Sequence, residues 1–385
     1  MRPFLALALT AGFLLAEDGD AILRLDGSRF AVDVTVITEG VEKVMYKRGN
    51  TPPRPVNTRE ISRVVYEGTT GDTAWARAVE ARTAGNFAEA ATQFQAIAEN
   101  PAAREWELFY GSFQAGENWE LTKDWAKAAA AYKPGVVKVP GHRYALDLRY
   151  RYGFALALSA SAAGAEQVAS DLAKAGADPA VMNSSMYSTR AAAIRAAIAG
   201  AAGDASKVRD LAQKAGAMSA KDSRETYAHF NFWLADWLRQ NNKPRDAIAI
   251  LDRIAVEYAG DPGKLSEVQL LRGLCLVETD PSAALVELVK IDLMPFGSED
   301  GKCEARWHAG RLLAKEADDL AKNADSDPKK LATVTALQRA ARMILSAAVD
   351  STSSSPARVQ AHELLQTIPA EVPAGLADSG TAATK

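Results

Sequence analysis

One pattern recurs along the chain and limits what it can fold into: a small residue, a large apolar residue four positions later, and then a proline. In residues 84–101, AGNFAEAATQFQAIAENP, these positions are Ala90, Phe94 and Pro101. The same order returns twice, at Ala128, Tyr132 and Pro140 and at Ala247, Leu251 and Pro262. Because four residues make about one helical turn, the small and the large side chain share one face of an α-helix. We expect the proline to end that helix.

Each of these helices follows another amphipathic segment, and the two together predict a helical hairpin. Ala78 lies twelve residues before Ala90, and Ala235 lies twelve residues before Ala247. Small side chains at these positions allow two antiparallel helices to approach closely. The large residue one turn later then fills the groove beside the contact.

Similar hairpins, several with alanine in place of the large residue, continue to about residue 365. The predicted pairs cover residues 71–101, 104–140, 144–179, 182–217, 228–262, 265–293 and 304–350, with a capping helix at 357–368. One hairpin cannot bury both of its faces, whereas stacked neighbours bury each other. Residues 74–368 are therefore predicted to form a mainly α structure, an α-solenoid of stacked hairpins.

The spacing resembles that of the tetratricopeptide repeat (TPR), whose period is about 34 residues. In that family, side chains of the first helices line a concave groove that binds a protein or peptide. The resemblance assigns such groove positions to Trp75, Arg82, Tyr150, His229, Phe232 and Arg239. Aromatic rings beside arginines could hold an extended peptide or an acidic chain terminus. The alternative is that Trp75 packs against the preceding β region and that the arginines are solvated.

Residues 20–67 differ from the rest of the chain and predict a small barrel or curled antiparallel sheet. Apolar residues at every second position indicate a half-buried strand with one inward side, at Phe30, Val32, Val34 and Val36. Asp26-Gly27 and, more weakly, Glu39-Gly40 mark hairpin turns. The proline-rich stretch 48–60 is predicted to be a connection, and 61–67 a further strand.

This β region resembles the Sm-like small barrels at the front of some exported bacterial proteins, on the basis of its Asp26-Gly27 turn, Phe30 and the closing ISRVVY at 61–66. Such barrels often bind RNA. We expect no nucleic-acid role here, because the sequence shows no cluster of basic and aromatic residues in this region. A capping or docking module is the favoured interpretation. Residues 68–73, GTTGDT, predict a short flexible joint.

The sequences at the two ends of the chain indicate segments that are not part of the folded structure. Arg2 precedes an apolar run from Phe4 to Ala16, which is too short for an ordinary membrane span and is typical of a signal peptide at 1–16. An uncleaved anchor is the alternative. We therefore expect an exported protein, periplasmic or associated with a bacterial cell envelope. Residues 369–385 are rich in Ala, Gly, Ser and Thr and predict a disordered tail. No later segment predicts a transmembrane helix.

No motif in the sequence predicts catalysis, a metal site or a cofactor. The four histidines, His142, His229, His308 and His362, lie outside the spacings that bind metals. There is no Gly-x-Ser-x-Gly elbow and no phosphate-binding glycine loop. Cys275 and Cys303 are expected to be two free thiols; the alternative for an exported protein is a disulfide between them.

The sequence therefore favours an exported, non-catalytic scaffold or adaptor that binds a protein or peptide. Its net charge of −3 gives no overall attraction to nucleic acid or to an anionic membrane. Two alternatives stay open. One is an enzyme whose active site on the solenoid has no local motif, and the other is a structural envelope component that contacts partners through the β region. The partner and the oligomeric state are not determined.

Overall fold

The computed structural model describes residues 19–69, 73–178, 184–216, 223–294, 297–324, 327–353 and 355–369. The predicted signal peptide and the predicted tail beyond residue 369 lie outside these residues. The chain divides into two compact units, Met1–Phe230 and Asn231–Lys385. The first unit contains both the β region and the first four hairpins, so the boundary between the units is not the boundary between sheet and helices.

The β region is a five-stranded antiparallel sheet. Its strands are β1 (Asp20–Arg24), β2 (Arg29–Glu39), β3 (Lys43–Lys47), β4 (Arg54–Asn57) and β5 (Ile61–Val65). Their order is β4-β3-β2-β1-β5, so β4 and β5 are edges of an open sheet and no barrel is closed. The predicted Asp-Gly turn joins β1 to β2, and Gly27 there has a φ of 82°, a conformation that glycine adopts without strain.

Two predictions within the sheet need correction. The proline-rich stretch is not only a connection, because its residues 54–57 form β4; Pro55 is tolerated there since β4 lies at an edge. The predicted alternation also changes phase along β2. Val34 and Val36 are buried as expected, but Ala31 is buried in place of Phe30 and Val32. The cause is an irregularity in the pairing with β1 near Asp33, whose φ is 53°.

Fifteen α-helices follow within the described residues, and the predicted stack of hairpins is confirmed. The first unit contains α1 (Ala74–Thr83), α2 (Phe87–Glu99), α3 (Glu105–Leu121), α4 (Trp125–Lys138), α5 (Ala145–Leu158), α6 (Ala162–Ala177), α7 (Ser184–Ala201) and α8 (Ala205–Ala215). Helix α9 (Arg224–Gln240) begins in the first unit and ends in the second. The second unit continues with α10 (Pro244–Glu257), α11 (Pro262–Leu276), α12 (Pro281–Asp292), α13 (Glu299–Lys322), α14 (Pro328–Val349) and α15 (Pro356–Thr367).

Within each unit the helices pack mainly against their neighbours in sequence, as a solenoid requires. The small residues lie at the helix contacts: Ala78, Ala90 and Ala247 are fully buried. Gly116 of α3 lies directly against the ring of Tyr132 of α4, so that an added Cβ would come 2.2 Å from a ring carbon. The closest approaches between the helices of a pair therefore occur where the sequence places its smallest residues.

The Asp-Pro sequences start helices, whereas the preceding helices α10 and α11 end earlier, at Glu257 and Leu276. Asp261 caps α11, with its side chain accepting a hydrogen bond of 3.1 Å from the backbone N–H of Lys264, and Pro262 is the first residue of that helix. Asp280 caps α12 in the same way, ahead of Pro281. The prediction that Pro262 ends a helix is wrong: it begins α11, because a proline at the first helical position fits the backbone angle and lacks only an N–H that would be unpaired.

The sheet is tied to the helices through buried charges and aromatic rings. The fully buried carboxylate of Asp20 receives both terminal nitrogens of Arg104, which precedes α3, and the backbone N–H of Val36. Tyr66, just after β5, stacks on Trp106 of α3 with 4.7 Å between ring centroids. The sheet therefore shares one hydrophobic core with the first hairpins and covers them at the start of the chain.

A second buried carboxylate, that of Glu39 at the end of β2, connects the sheet to α3 and to the loop before α5. It accepts hydrogen bonds from the hydroxyls of Tyr66 and Tyr110, at 2.5 and 3.0 Å, and pairs with Arg143. The ring of His142 lies 3.5 Å from it. Contact with His142 and Arg143 holds the pKa of Glu39 below its usual value although burial opposes this, while burial lowers the pKa of His142.

Among the described residues, no helix combines the length and the apolar character needed to cross a bilayer.

Candidate functional site

Three of the six predicted groove residues meet in a polar network inside the first unit. We call this the inner network, and its members come from four first helices, α1, α3, α5 and α9: Arg82, Glu117, Glu120, Tyr150, Arg151 and His229. Helix positions one turn apart place Glu117 and Glu120 on the same side of α3, facing α5. The remaining predicted residues lie elsewhere.

Arg151 is the centre of this network. Its guanidinium donates to Glu117 and to Glu120, each at 2.7 Å. Arg82, from α1, reaches the other oxygen of Glu117 at 3.3 Å. Burial opposes the charge on Glu117, but Arg151 and Arg82 together hold its pKa below the usual value. The acids and bases of the network therefore stabilise each other as ions.

The imidazole of His229 has both of its nitrogens occupied. Its Nδ1 lies 2.8 Å from the hydroxyl of Tyr150, and its Nε2 lies 3.3 Å from a carboxylate oxygen of Glu120. A carboxylate only accepts, so the neutral ring carries its hydrogen on Nε2 and the Tyr150 hydroxyl donates to Nδ1. Burial and the charge of Arg151 lower the pKa of His229, which keeps the ring neutral.

The inner network has the character of a structural ion cluster. Tyr150 is fully buried, and the side chains of Glu120, Arg151 and His229 are at most 14% exposed. A general acid or base needs an atom within hydrogen-bond reach of its substrate, whereas His229 uses both ring nitrogens within the protein. Of this group, Arg82 is the most accessible, at 35%.

Trp75 is a core residue, as the alternative interpretation proposed. It is 4% exposed, and its ring packs edge-on against Phe94 and Trp106 at 4.9 and 5.3 Å between centroids. Since Trp106 also stacks on Tyr66 of the sheet region, Trp75 belongs to the core that the sheet covers. It offers no free ring face for a partner.

Phe232 and Arg239 belong to the second unit, where they are part of a more open surface. We call this the basic–aromatic surface, and it consists of Phe232 and Arg239 of α9, Lys264 of α11, and Trp307, His308 and Arg311 of α13. All six residues are partly exposed. They lie on the first helices of three successive hairpins, α9, α11 and α13.

Cations lie over aromatic rings on this surface. The Lys264 Nζ is 5.6 Å from the ring centre of Phe232, and the Arg311 Cζ is 5.2 Å from that of Trp307. Trp307 also contacts the ring of His308, 4.2 Å between centroids. An arginine stacked on an indole keeps the edge of its guanidinium available for hydrogen bonds.

The carboxylates near these arginines compete with a partner to different degrees. Arg239 pairs with Asp236 on its own helix at 2.7 Å, and Arg311 approaches Glu278 at 3.9 Å, where Glu278 is 82% exposed. The exposed Arg311–Glu278 pair contributes roughly 0–1 kcal/mol, so a better-placed carboxylate can replace it. The Arg239–Asp236 pair is held more firmly, because two guanidinium nitrogens donate to the same carboxylate oxygen. Burial, followed by the charges of Arg311 and Arg239, lowers the pKa of His308 to about 3, so this ring is neutral at physiological pH.

The two cysteines take no part in this surface chemistry. Cys275 and Cys303 are both buried and unpaired, which confirms the expectation of free thiols. Burial raises the pKa of the Cys275 thiol to about 11, so it is almost entirely protonated at neutral pH and weakly reactive. No group of three or more potential metal ligands occurs in the part of the chain that the structure describes.

Sequence reasoning missed Glu117, Glu120 and Arg151, and also Lys264, Trp307 and Arg311. One signal for the first three was available. Helix α3, EWELFYGSFQAGENWEL, is buried along most of its length, and carboxylates in such a helix need a partner of opposite charge. No comparable signal identified the other three, because their position on the surface depends on how neighbouring hairpins pack.

No protein-family model matches this chain, and comparison with curated proteins finds no relative.

Proposed function

We propose that this protein is an exported, non-catalytic adaptor that binds a protein or peptide partner through the first helices of a TPR-like solenoid. The observation that carries the proposal is the basic–aromatic surface of the second unit. It combines two aromatic side chains with three cationic ones on successive first helices. Interfaces are enriched in aromatic residues and arginine, because these give large contact areas and directional hydrogen bonds.

The packing of the helices also favours binding. First helices held by their neighbours present side chains whose positions are largely fixed, which lowers the entropy that a partner must lose on association. An extended peptide could place apolar side chains against Phe232 and Trp307 while its polar groups pair with Arg239 and Arg311. The inner network of the first unit serves stability in this proposal, since its charges are already paired.

The proposal is tested by site-specific crosslinking in the cell envelope of the native host. A photoreactive amino acid replaces Phe232, and the crosslinked partner is compared between the parent chain, Arg239→Glu with Arg311→Glu, and Lys329→Glu. Lys329 is an exposed lysine on α14, a second helix, and provides the matched control.

We expect the double glutamate variant to lose the crosslinked partner and the Lys329 variant to keep it. If all three chains capture the same partner equally, Arg239 and Arg311 do not contribute to binding and that part of the proposal is wrong. If position 232 captures no partner even in the parent chain, the basic–aromatic surface is not the binding site, and contact through the β region becomes the better explanation. Circular dichroism of each variant verifies that the helices are intact.

A further inference from the structure

The end of the sheet that carries the β1–β2 turn and the β3–β4 connection has a patch of arginine, aromatic and leucine side chains that the proposed function does not use. We call it the sheet patch, and it consists of Arg24, Leu25, Phe30, Tyr46 and Arg54. The Arg24 Cζ lies 5.4 Å from the ring centre of Phe30, and the rings of Phe30 and Tyr46 meet edge-on at 6.2 Å. Arg54 of β4 is the cross-strand partner of Tyr46 of β3.

Leu25 is the most exposed apolar member of this patch. It lies in the turn between β1 and β2 and is 62% exposed. Turns of this kind favour polar residues and glycine, and an exposed leucine gains nothing in water. A single exposed leucine is common on proteins; what distinguishes Leu25 is that Arg24 precedes it and that the partly exposed ring of Phe30 lies beside Arg24.

The charge of the sheet also differs from that of the whole chain. Residues 19–69 contain eight Lys and Arg and seven Asp and Glu. Two of those carboxylates, Asp20 and Glu39, are buried against arginines, so eight cations and five carboxylates remain outside the core. The net charge of −3 for the whole chain therefore conceals an excess of three positive charges among the residues of the sheet region that are not buried.

Two carboxylates lie near the patch in sequence. Asp26 follows Leu25, and its side chain accepts a hydrogen bond of 2.8 Å from the backbone N–H of Ser28, which shapes the turn. Its charge also attracts Arg24, so a lipid phosphate would have to compete with this exposed carboxylate. Asp33 lies at the irregular position of β2. Arg48 places a further cation beside β2, because its guanidinium donates a hydrogen bond of 3.0 Å to the backbone carbonyl of Val32, two residues after Phe30.

We propose that the sheet patch binds the surface of an anionic lipid bilayer. Leu25 enters the headgroup region, with Phe30 following at the boundary, while Arg24 and Arg54 pair with lipid phosphates. A bilayer is favoured over a folded partner because the patch joins an exposed apolar residue on a turn to surrounding cations, the combination that peripheral membrane binding requires. The sheet patch shares no residue with the basic–aromatic surface, so either binding proposal can be wrong while the other holds.

Co-sedimentation with vesicles tests this proposal. The chain from Glu17 onward is used, so that the apolar run of residues 4–16 cannot itself insert. Vesicles of phosphatidylcholine alone are compared with vesicles that also contain phosphatidylglycerol. The variants are Leu25→Asp, Arg24→Gln with Arg54→Gln, and the control Val41→Asp. Val41 is a matched control because it is 64% exposed in another turn of the same sheet, between β2 and β3, and is followed by Glu42.

We expect the parent chain to bind only the vesicles with phosphatidylglycerol, and less tightly as salt is added. Leu25→Asp should weaken binding about ten-fold, and each arginine replaced should weaken it about five-fold. Val41→Asp should change nothing. Equal binding to both vesicle types, or an equal loss in the Val41 variant, overturns the proposal. If vesicles are not bound while a labelled polyglutamate peptide is retained by the same arginines, the patch binds proteins and the lipid assignment is wrong.

Discussion

Replacing Gly116 with alanine tests the central packing argument, that hairpins form where a small residue of one helix meets a large residue of the next. A Cβ at Gly116 would lie 2.2, 2.4 and 2.5 Å from three atoms of the Tyr132 ring. Ordinary van der Waals contacts are longer than 3.4 Å, so the ring would have to move by about 1 Å. Tyr132 is fully buried and packs against Phe113 at 6.1 Å between centroids, which leaves little room for that movement.

The expected cost follows from two opposing effects. Overpacking a well-filled core costs about 1–3 kcal/mol, and three close contacts with a buried ring place Gly116→Ala at the upper end. Alanine recovers about 1 kcal/mol because it is a better helix former than glycine. We therefore expect a net loss of about 2 kcal/mol in the free energy of unfolding, a substantial part of the stability of a typical domain.

Urea unfolding followed by circular dichroism measures this loss, and a double-mutant cycle identifies its cause. In a Tyr132→Leu background the ring is absent, so Gly116→Ala should cost at least 1 kcal/mol less than in the parent chain. Gly263→Ala in α11 is the control: its nearest neighbour for a new Cβ is 3.5 Å away, so it should stabilise slightly. If Gly116→Ala is as stable as the parent, or if its cost is unchanged by Tyr132→Leu, the proposed contact does not determine the packing of this hairpin.

Two further predictions concern the buried charges of the first unit. Glu39 and His142 both have a lowered pKa in the folded protein, so the unfolded chain takes up more protons in acid than the folded one. Stability should therefore fall as the pH drops below about 6.5, where the unfolded histidine is protonated, and fall further below about 4.5, where the unfolded glutamate is protonated. Thermal unfolding at a series of pH values measures this, and constant stability from pH 7 to pH 4 would contradict it. Arg151→Met should cost about 3–5 kcal/mol, because it leaves two largely buried glutamates of α3 without their main partner. Lys133→Met, at an exposed residue of α4, should change the unfolding free energy by less than about 0.5 kcal/mol. Equal effects of the two substitutions would show that the inner network contributes nothing to stability.

The helical pairs could be predicted from the sequence because their signals are local. Apolar spacing of three and four residues and alanine at the contact points act within one or two turns, and a proline marks a helix boundary, although the sequence did not show that Pro262 starts a helix. Trp75 also shows the limit of this reasoning. Its position on a first helix suggested a groove residue, but the ring is buried by Phe94, Trp106 and, through that residue, the sheet.

The sheet illustrates the same limit over shorter distances. The turn at Asp26-Gly27 could be predicted because glycine is needed for its backbone angle. The change of phase near Asp33 could not, since it depends on how β2 pairs with β1. The arrangement of Phe30, Tyr46 and Arg54 as one patch likewise requires the register of three strands, which no single strand contains.

By itself, the sequence determined that this protein is a series of helical hairpins behind a small antiparallel sheet, because each element is specified by residues close together in the chain. Only the tertiary structure decided which polar side chains are buried and which remain accessible to solvent. Tyr150 and His229 are 79 residues apart and Tyr110 and Glu39 are 71 apart, yet each pair shares a hydrogen bond. Burial and electrostatic pairing depend on such distant contacts, and the spacing of residues along a helix carries no information about them.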